Sequence, residues 1–236
     1  MDKCTNPIEN KTLSTMILRL LLILVFAIPA AADPLRFQIQ DLTQRNLMAI
    51  ISDAPLEKMI AQCHLLRGWV ELEPQSLESG IKGELEIDVR SCETGSGIRD
   101  LLLQEKIWEV KQYPTASLTI KKWAKETKGN LTEKSEQAHN VELSLTYHDK
   151  TISLEVPLKL SYFAESDKTR NRLPGNLLRV SSEKKLSLSD VGISIPDDLK
   201  STLSSKVDVI FDAVGTSKLP NDKTLLPEGP KPKERT

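Results

Sequence analysis

Aromatic residues are scarce in this chain. They make up 4% of 236 residues, and no stripe of Arg and Lys interleaves with them. That combination excludes a stacking platform or a basic groove for nucleic acid. Charge of either sign is also lacking in excess, with a formal net charge of -1, so no electrostatic steering of a charged partner is implied. Histidine is limited to His64, His139 and His148. No His or Cys pair has the spacing of a zinc finger or of a His-Glu-x-x-His helix, so no metal is expected. A Gly-x-Ser-x-Gly nucleophile elbow is absent, and the acidic residues alternate with apolar ones, which turns them to solvent rather than into an acid/base pair.

Long hydrophobic runs are missing too. The longest, Leu20 to Ala32, includes "LLILVFAI" and is interrupted by Pro29. It is shorter than the roughly 20 residues a membrane helix needs. Arg19 precedes it and "PAAAD" follows, with Ala30 and Ala32 at the small-x-small positions of a secretory cleavage site. Residues 1–32 are therefore expected to be a signal peptide cut after Ala32, with Met16 an alternative start, and the mature chain to be periplasmic or secreted. Its loss removes Cys4 and leaves 29 bases and 31 acids, a charge of -2. Cys63 and Cys92 remain as a pair in an oxidising compartment. They sit equidistant from the "PQSLESGIKG" connection, so strands 63–73 and 83–92 of one hairpin would set them face to face. Two readings stay open: a disulfide, or two buried free thiols.

What the chain has in quantity is period-2 alternation. Leu35, Phe37 and Ile39 share a face in "LRFQIQ", Leu66, Val70 and Leu72 in "HLLRGWVELE", and Leu85, Ile87 and Val89 in "GELEIDV". "LMAIIS", "ASLTIKKW", "VELSLTY", "ISLEVPLKL" and "KVDVIFDA" continue the pattern, with "LLRVSSE" and "KLSLS" as shorter, separate strands. Eight or more amphipathic strands must bury one face, which a sandwich or a closed barrel achieves. A helical stripe runs from Gly97 to Val110, with Ser96 placed to cap it and "QYPT" to end it. "IPDDLKSTLSS" holds a second short helical turn. Residues 124–140 read as a long polar loop, and 217–236 as a disordered Pro-rich tail.

The corner "CETGSGIRD", Cys92 to Asp100, joins a strand to that helix. Its Gly-x-Gly lacks the Gly-Lys-Ser/Thr of a P-loop and the third glycine of a dinucleotide fingerprint. Gly95 and Gly97 suit a turn, and Thr94 and Ser96 can bond local backbone. Arg99 is either an anchor for the helix or a contact for an anionic head group.

With its flanks, "VRSCETGSGIRDLLLQEKIWEVKQYPTASLTI" resembles the signature of the YceI-like family: Ser91, Thr94, Gly95, Arg99, Asp100, Leu103, Tyr113, Pro114 and Thr115 match. "LTYH" (145–148), "LSLSDVGISIP" (186–196) and "VDVIFDA" extend the likeness over most of residues 35–215. The chain departs from the pattern at Leu102, where the family has histidine, at Ile107-Trp108 in place of two phenylalanines, and in a shorter hairpin after His148. The resemblance implies an all-β, lipocalin-like antiparallel barrel of about eight strands with one short helix, spanning 33–216. It also implies an apolar cavity that carries an isoprenoid lipid or quinone, with no other cofactor.

On that basis the cavity is expected to be lined by Leu85, Ile87, Val89, Trp108, Leu118, Ile120, Leu143, Leu145, Leu154, Val156 and Val209, with Trp69 near its wall. Thr94, Gly95, Arg99, Asp100 and Pro114 would anchor the helix. The expected partner is an apolar lipid, with no nucleic acid, no membrane span and a homodimer as an option. The competing readings are a barrel with a collapsed cavity that engages a protein partner, and an enzyme using Arg99, Asp100 and His148.

Overall fold

The computed structural model describes residues 33–40 and 45–218. The expected export signal and residues 219–236 of the tail lie outside the described residues. The alternating segments form β1 (Leu35–Gln40), β2 (Leu47–Asp53), β3 (Lys58–Cys63), β4 (Leu66–Leu72), β5 (Ile81–Asp88), β6 (Cys92–Glu93), β7 (Thr115–Trp123), β8 (Glu136–Tyr147), β9 (Lys150–Phe163), β10 (Leu177–Ser187) and β11 (Lys206–Thr216). All pairings among them are antiparallel.

Three of the barrel's staves are broken in two. β1 pairs with β4 while β2 pairs with β3, and the β4–β5 ladder is continued by β3–β6. Counted as staves, the eleven segments make eight strands in up-and-down order. β11 closes the sheet against β2 and, at Gln38 and Thr216, against β1. The result is a closed eight-stranded antiparallel β-barrel with a short helix, as the alternation and the family resemblance imply. Closure leaves each apolar face inside and removes the outer edges of the sheet.

Four local expectations are corrected. β3 is not among the strands expected from sequence, although Met59, Ala61 and Cys63 alternate as buried. "LLRVSSE" and "KLSLS" are one strand, β10, which pairs continuously with β11 from Leu177 to Ser187. The polar loop ends at Ser135, because residues 136–140 already pair with β9. Ser217 and Lys218, expected as the start of the loose tail, are tied down: the Ser217 amide donates to the Asn176 carbonyl at 2.9 Å and Lys218 Nζ meets Glu165 at 2.7 Å.

The apolar residues fall into two clusters at opposite ends of the barrel. One surrounds Phe37, Leu72, Leu77, Leu160 and Leu178. The loop before β8 plugs that end: Leu131 is buried, its amide donates to the Pro74 carbonyl at 2.7 Å, and the Trp123 indole donates to the Leu77 carbonyl at 2.8 Å. The other cluster gathers Leu103, Ile107 and Trp108 with Leu188, Val191, Ile193 and Leu203 from the β10–β11 connection.

Cys63 and Cys92 form a disulfide. They are direct partners in the β3–β6 ladder, but simple continuation of the β4–β5 register would not set them opposite each other. Between Leu66–Ile87 and Cys63–Cys92 the first stave has two residues and the second has four. The surplus coils into a 3₁₀ turn, Val89–Ser91. Ser91 Oγ there accepts from the amides of His64 and Leu65 at 3.2 and 3.0 Å, satisfying donors that the break would orphan.

Candidate functional site

The second cluster is capped by the strand-to-helix corner. Gly95 has φ 79°, a conformation that favours glycine, and the space where a side chain would begin is open, with no neighbouring atom within 4 Å. Its requirement is conformational rather than steric. Asp100 Oδ1 accepts from both the amide and the hydroxyl of Thr94, at 2.8 and 2.6 Å. The Ser96 side chain makes no capping bond, so Asp100, not Ser96, organises the start of helix α1 (Gly97–Leu102). Arg99 Nε donates to Thr94 Oγ1 at 2.9 Å, and its guanidinium pairs with Glu57 from the β2–β3 turn. Arg99 does not border the cavity. Its bonds are those of an anchor that ties α1 to the neighbouring hairpin. Pro114 contributes through its carbonyl, which accepts from the Val89 amide at 2.9 Å.

The expected helix to Val110 is not continuous. α1 stops at Leu102 and a π-helical turn, Leu103–Ile107, follows. The wider turn changes which face is buried: Leu103, Ile107 and Trp108 are buried, while Ile98 and Leu101 are exposed. Glu109, with φ 47°, ends the turn. The Trp108 carbonyl accepts from the Tyr147 hydroxyl at 2.8 Å and from His148 Nε2 at 3.0 Å. Tyr113 stacks on His148 with ring centroids 4.2 Å apart. Burial raises the Tyr147 hydroxyl's pKa, so it stays a donor.

Between the two clusters lies a cavity of about 200 Å³. All eleven residues expected to line it, from Leu85 to Val209, border it. Sequence did not single out Ile39, Met48, Ile50, Leu186 and Phe211, which border it as well. Trp69 also borders it, but its ring is covered by the Arg36 guanidinium at 3.8 Å and its indole donates to Glu84 at 3.3 Å. Among the described residues no group of His, Cys, Asp or Glu is arranged to hold a metal, and no helix is long and apolar enough to cross a membrane.

The wall has one discontinuity with polar chemistry. β9 pairs with β8 from Ser161 back to Lys150. It pairs with β10 only from Leu177–Phe163 to Ser181–Lys159. β10 meanwhile stays paired with β11 as far as Ser187. A seam therefore opens between β9 and β10 beyond Lys159. Pro157 sits at its apex. Proline has no N–H to donate, and its β8 partner, Asn140, is on the other side. Two side chains of β10 bridge the seam: Ser182 Oγ donates to the Pro157 carbonyl at 2.8 Å, and Lys184 Nζ to the Glu155 carbonyl at 3.0 Å. Ser182 and Lys184 pair with Phe211 and Val209, and all four border the cavity. These inward positions are polar, and the sequence reading missed them. The signal was there: "SSEKK" interrupts the apolar period of what is a single strand.

The profile of the YceI-like domain matches residues 43–215. No curated protein matches the chain. Among solved structures, BcnA of Burkholderia cenocepacia is similar at 16% identity and a TM-score of 0.58, covering 75% of this chain and 99% of that one. A polyisoprenoid binding domain from Saccharophagus degradans, implicated in plant cell wall breakdown, has 12% identity and a TM-score of 0.55, covering 78% and 99%. The Campylobacter jejuni YceI protein has 19% identity and a TM-score of 0.52, covering 65% and 82%. At these identities the likeness is one of fold. The match of the domain profile to most of the chain, on a closed barrel that carries the Thr-Gly and Arg-Asp corner, establishes that this protein belongs to the YceI-like family.

Proposed function

We propose that the protein is an exported carrier that holds an apolar, polyisoprenoid-type lipid in its barrel and performs no catalysis. The observation that carries this reading is the apolar cavity between the two core clusters. Each CH₂ of a tail buried there contributes about 0.8 kcal/mol, so a long prenyl chain needs few directed contacts. The Saccharophagus degradans domain of the same fold is described as polyisoprenoid binding, which supports the choice of tail. The residues an enzyme would use are engaged elsewhere: Asp100 with Thr94, Arg99 with Glu57, and His148 with the Trp108 carbonyl. Native mass spectrometry of protein purified from its own host tests the reading. A bound lipid of one-to-one stoichiometry on a chain beginning at Asp33 is expected. An empty barrel whose organic extract holds no lipid overturns the carrier, and a retained leader overturns export.

The competing interaction barrel required a collapsed cavity, and the interior is not collapsed. One observation still favours a protein contact. Ile98 and Leu101 of α1, and Leu56 and Ile60 of the β2–β3 hairpin, are exposed, and Arg99–Glu57 links those two elements. A homodimer through this face would be lost in Ile98→Glu on a sizing column. A monomeric wild-type chain overturns it.

A further inference from the structure

Trp69 is set apart from the other two tryptophans. Trp108 and Trp123 are buried, whereas Trp69 alternates with the inward Val70 and stands on the outer face of β4. The register arranges its neighbours in two parallel rows across β1, β4, β5 and β7. One row is Gln38, Trp69, Glu84 and Thr119, and the other is Gln40, Arg67, Glu86 and Ser117. The row between them, through Ile39, Leu85 and Leu118, turns its side chains into the barrel, and its fourth member is Gly68. The two outward rows therefore wall a trough with a backbone floor, of about 460 Å³.

The walls are held upright by the protein itself. Arg67 pairs with Glu86, and the Trp69 indole donates to Glu84 at 3.3 Å. Arg36, one row further out and opposite Glu71, covers the ring at 3.8 Å, so the remaining face of the ring is the one that borders the trough. An aromatic ring fixed in this way loses little freedom when a ligand stacks on it. The other wall groups are unspent: among the described residues the side chains of Gln38, Gln40, Ser117 and Thr119 make no hydrogen bond. Amides and hydroxyls both donate and accept. Two cations, Arg36 and Arg67, stand against two anions, Glu84 and Glu86, so no net charge recruits an ion.

From this arrangement we infer that the trough is a binding site on the outside of the barrel for a neutral oligosaccharide. Trp69 takes the apolar C–H face of a pyranose ring. Gln38 and Thr119 beside it, and Gln40 and Ser117 across from it, exchange hydrogen bonds with the sugar hydroxyls. An extended peptide fits less well, because β4 and β5 are already paired on both sides here and offer it no ladder. The site is separate from the interior cavity and stands whether or not the barrel carries a lipid.

A ¹⁵N–¹H NMR titration of the intact protein with cellotriose, maltotriose and triacetylchitotriose tests it. At least one of these is expected to shift the Trp69 indole signal, identified by its loss in Trp69→Phe, with a dissociation constant of about 1 mM or tighter. The Trp108 and Trp123 indole signals should stay in place, which also reports an intact barrel in each variant. Sorbitol, a polyol without a ring, should shift none of them. Trp69→Ala, followed at the Gly68 amide, should weaken binding about tenfold. The double variant Gln40→Ala with Ser117→Ala keeps the ring and should weaken binding about threefold or more. The site is overturned if no glycan moves the Trp69 signal, or if the double variant binds as tightly as the wild type. It is equally overturned if sorbitol or a Gly-Ser peptide moves the signal as strongly as any glycan.

Discussion

Tyr147 donates its hydroxyl to the Trp108 carbonyl at 2.8 Å. The bond joins the end of β8 to the point where the π-helical turn finishes. It fixes a cavity-bordering tryptophan through its backbone rather than its ring. Tyr147→Phe keeps the ring and removes the donor. It should lower the free energy of unfolding by about 1–2 kcal/mol, because a buried carbonyl loses one of its two partners. Urea denaturation followed by tryptophan fluorescence measures this. An unchanged midpoint would show that His148 alone holds the carbonyl.

The next residues carry strain of a different kind. His148 and Asp149 connect β8 to β9 as a two-residue turn with φ 47° and 57°, where Gly is the preferred second residue. Asp149→Gly should stabilise the fold by about 0.5–1 kcal/mol. A thermal melt checks the sign, and a lower Tm would mean that the Asp149 carboxylate contributes more than its backbone costs.

Leu118 and Leu145 are cross-strand partners that both border the cavity. Leu118→Phe fills empty space instead of displacing packed atoms, so stability should stay within about 1 kcal/mol of wild type. Lipid capacity should fall steeply, read as the fraction of lipid-bearing protein in a native mass spectrum. Undiminished loading would place the ligand somewhere other than this cavity.

Glu165 has its pKa lowered to about 2, chiefly by its bond to Lys218 and then by that to Arg170. Its folded value lies below its ordinary 4.5, so the stabilisation it gives is complete above pH 4.5 and is lost as pH falls toward 2. Wild type should therefore lose stability on acidification over that window more than Glu165→Gln does, while the two run parallel above pH 5. Unfolding midpoints from pH 2 to 6 provide the comparison. The Glu165–Lys218 pair is exposed, so salt should reduce the difference.

The staves and the cavity wall were legible in the sequence because both follow from one period. Leu85, Leu118, Leu143, Leu154 and Val209 face inward on five different strands by alternation alone. The Thr94–Asp100 corner was legible as a strand-to-helix joint, although its capping side chain comes from Asp100 and not Ser96. The π-helical turn was not legible, since Leu103, Ile107 and Trp108 fit a helical stripe almost as well as the wider one. The seam escaped for a related reason. Pro157 reads as a tolerable residue in an alternating strand, and only the register shows that its missing N–H faces β10. Lys184 broke the apolar period and so made one strand look like two.

A barrel normally has no free rim along its staves, but this one keeps a short length of two unpaired strands, past Lys159 on β9 and past Ser181 on β10. Such a rim invites a strand from another chain to add itself on. Here the apex is a proline that cannot complete a ladder, and Lys184 and Lys185 stand along the opposite strand, a charge any incoming apolar strand would have to bury or displace. The proline that opens the wall, together with these two lysines, thus protects the barrel from aggregating through the opening.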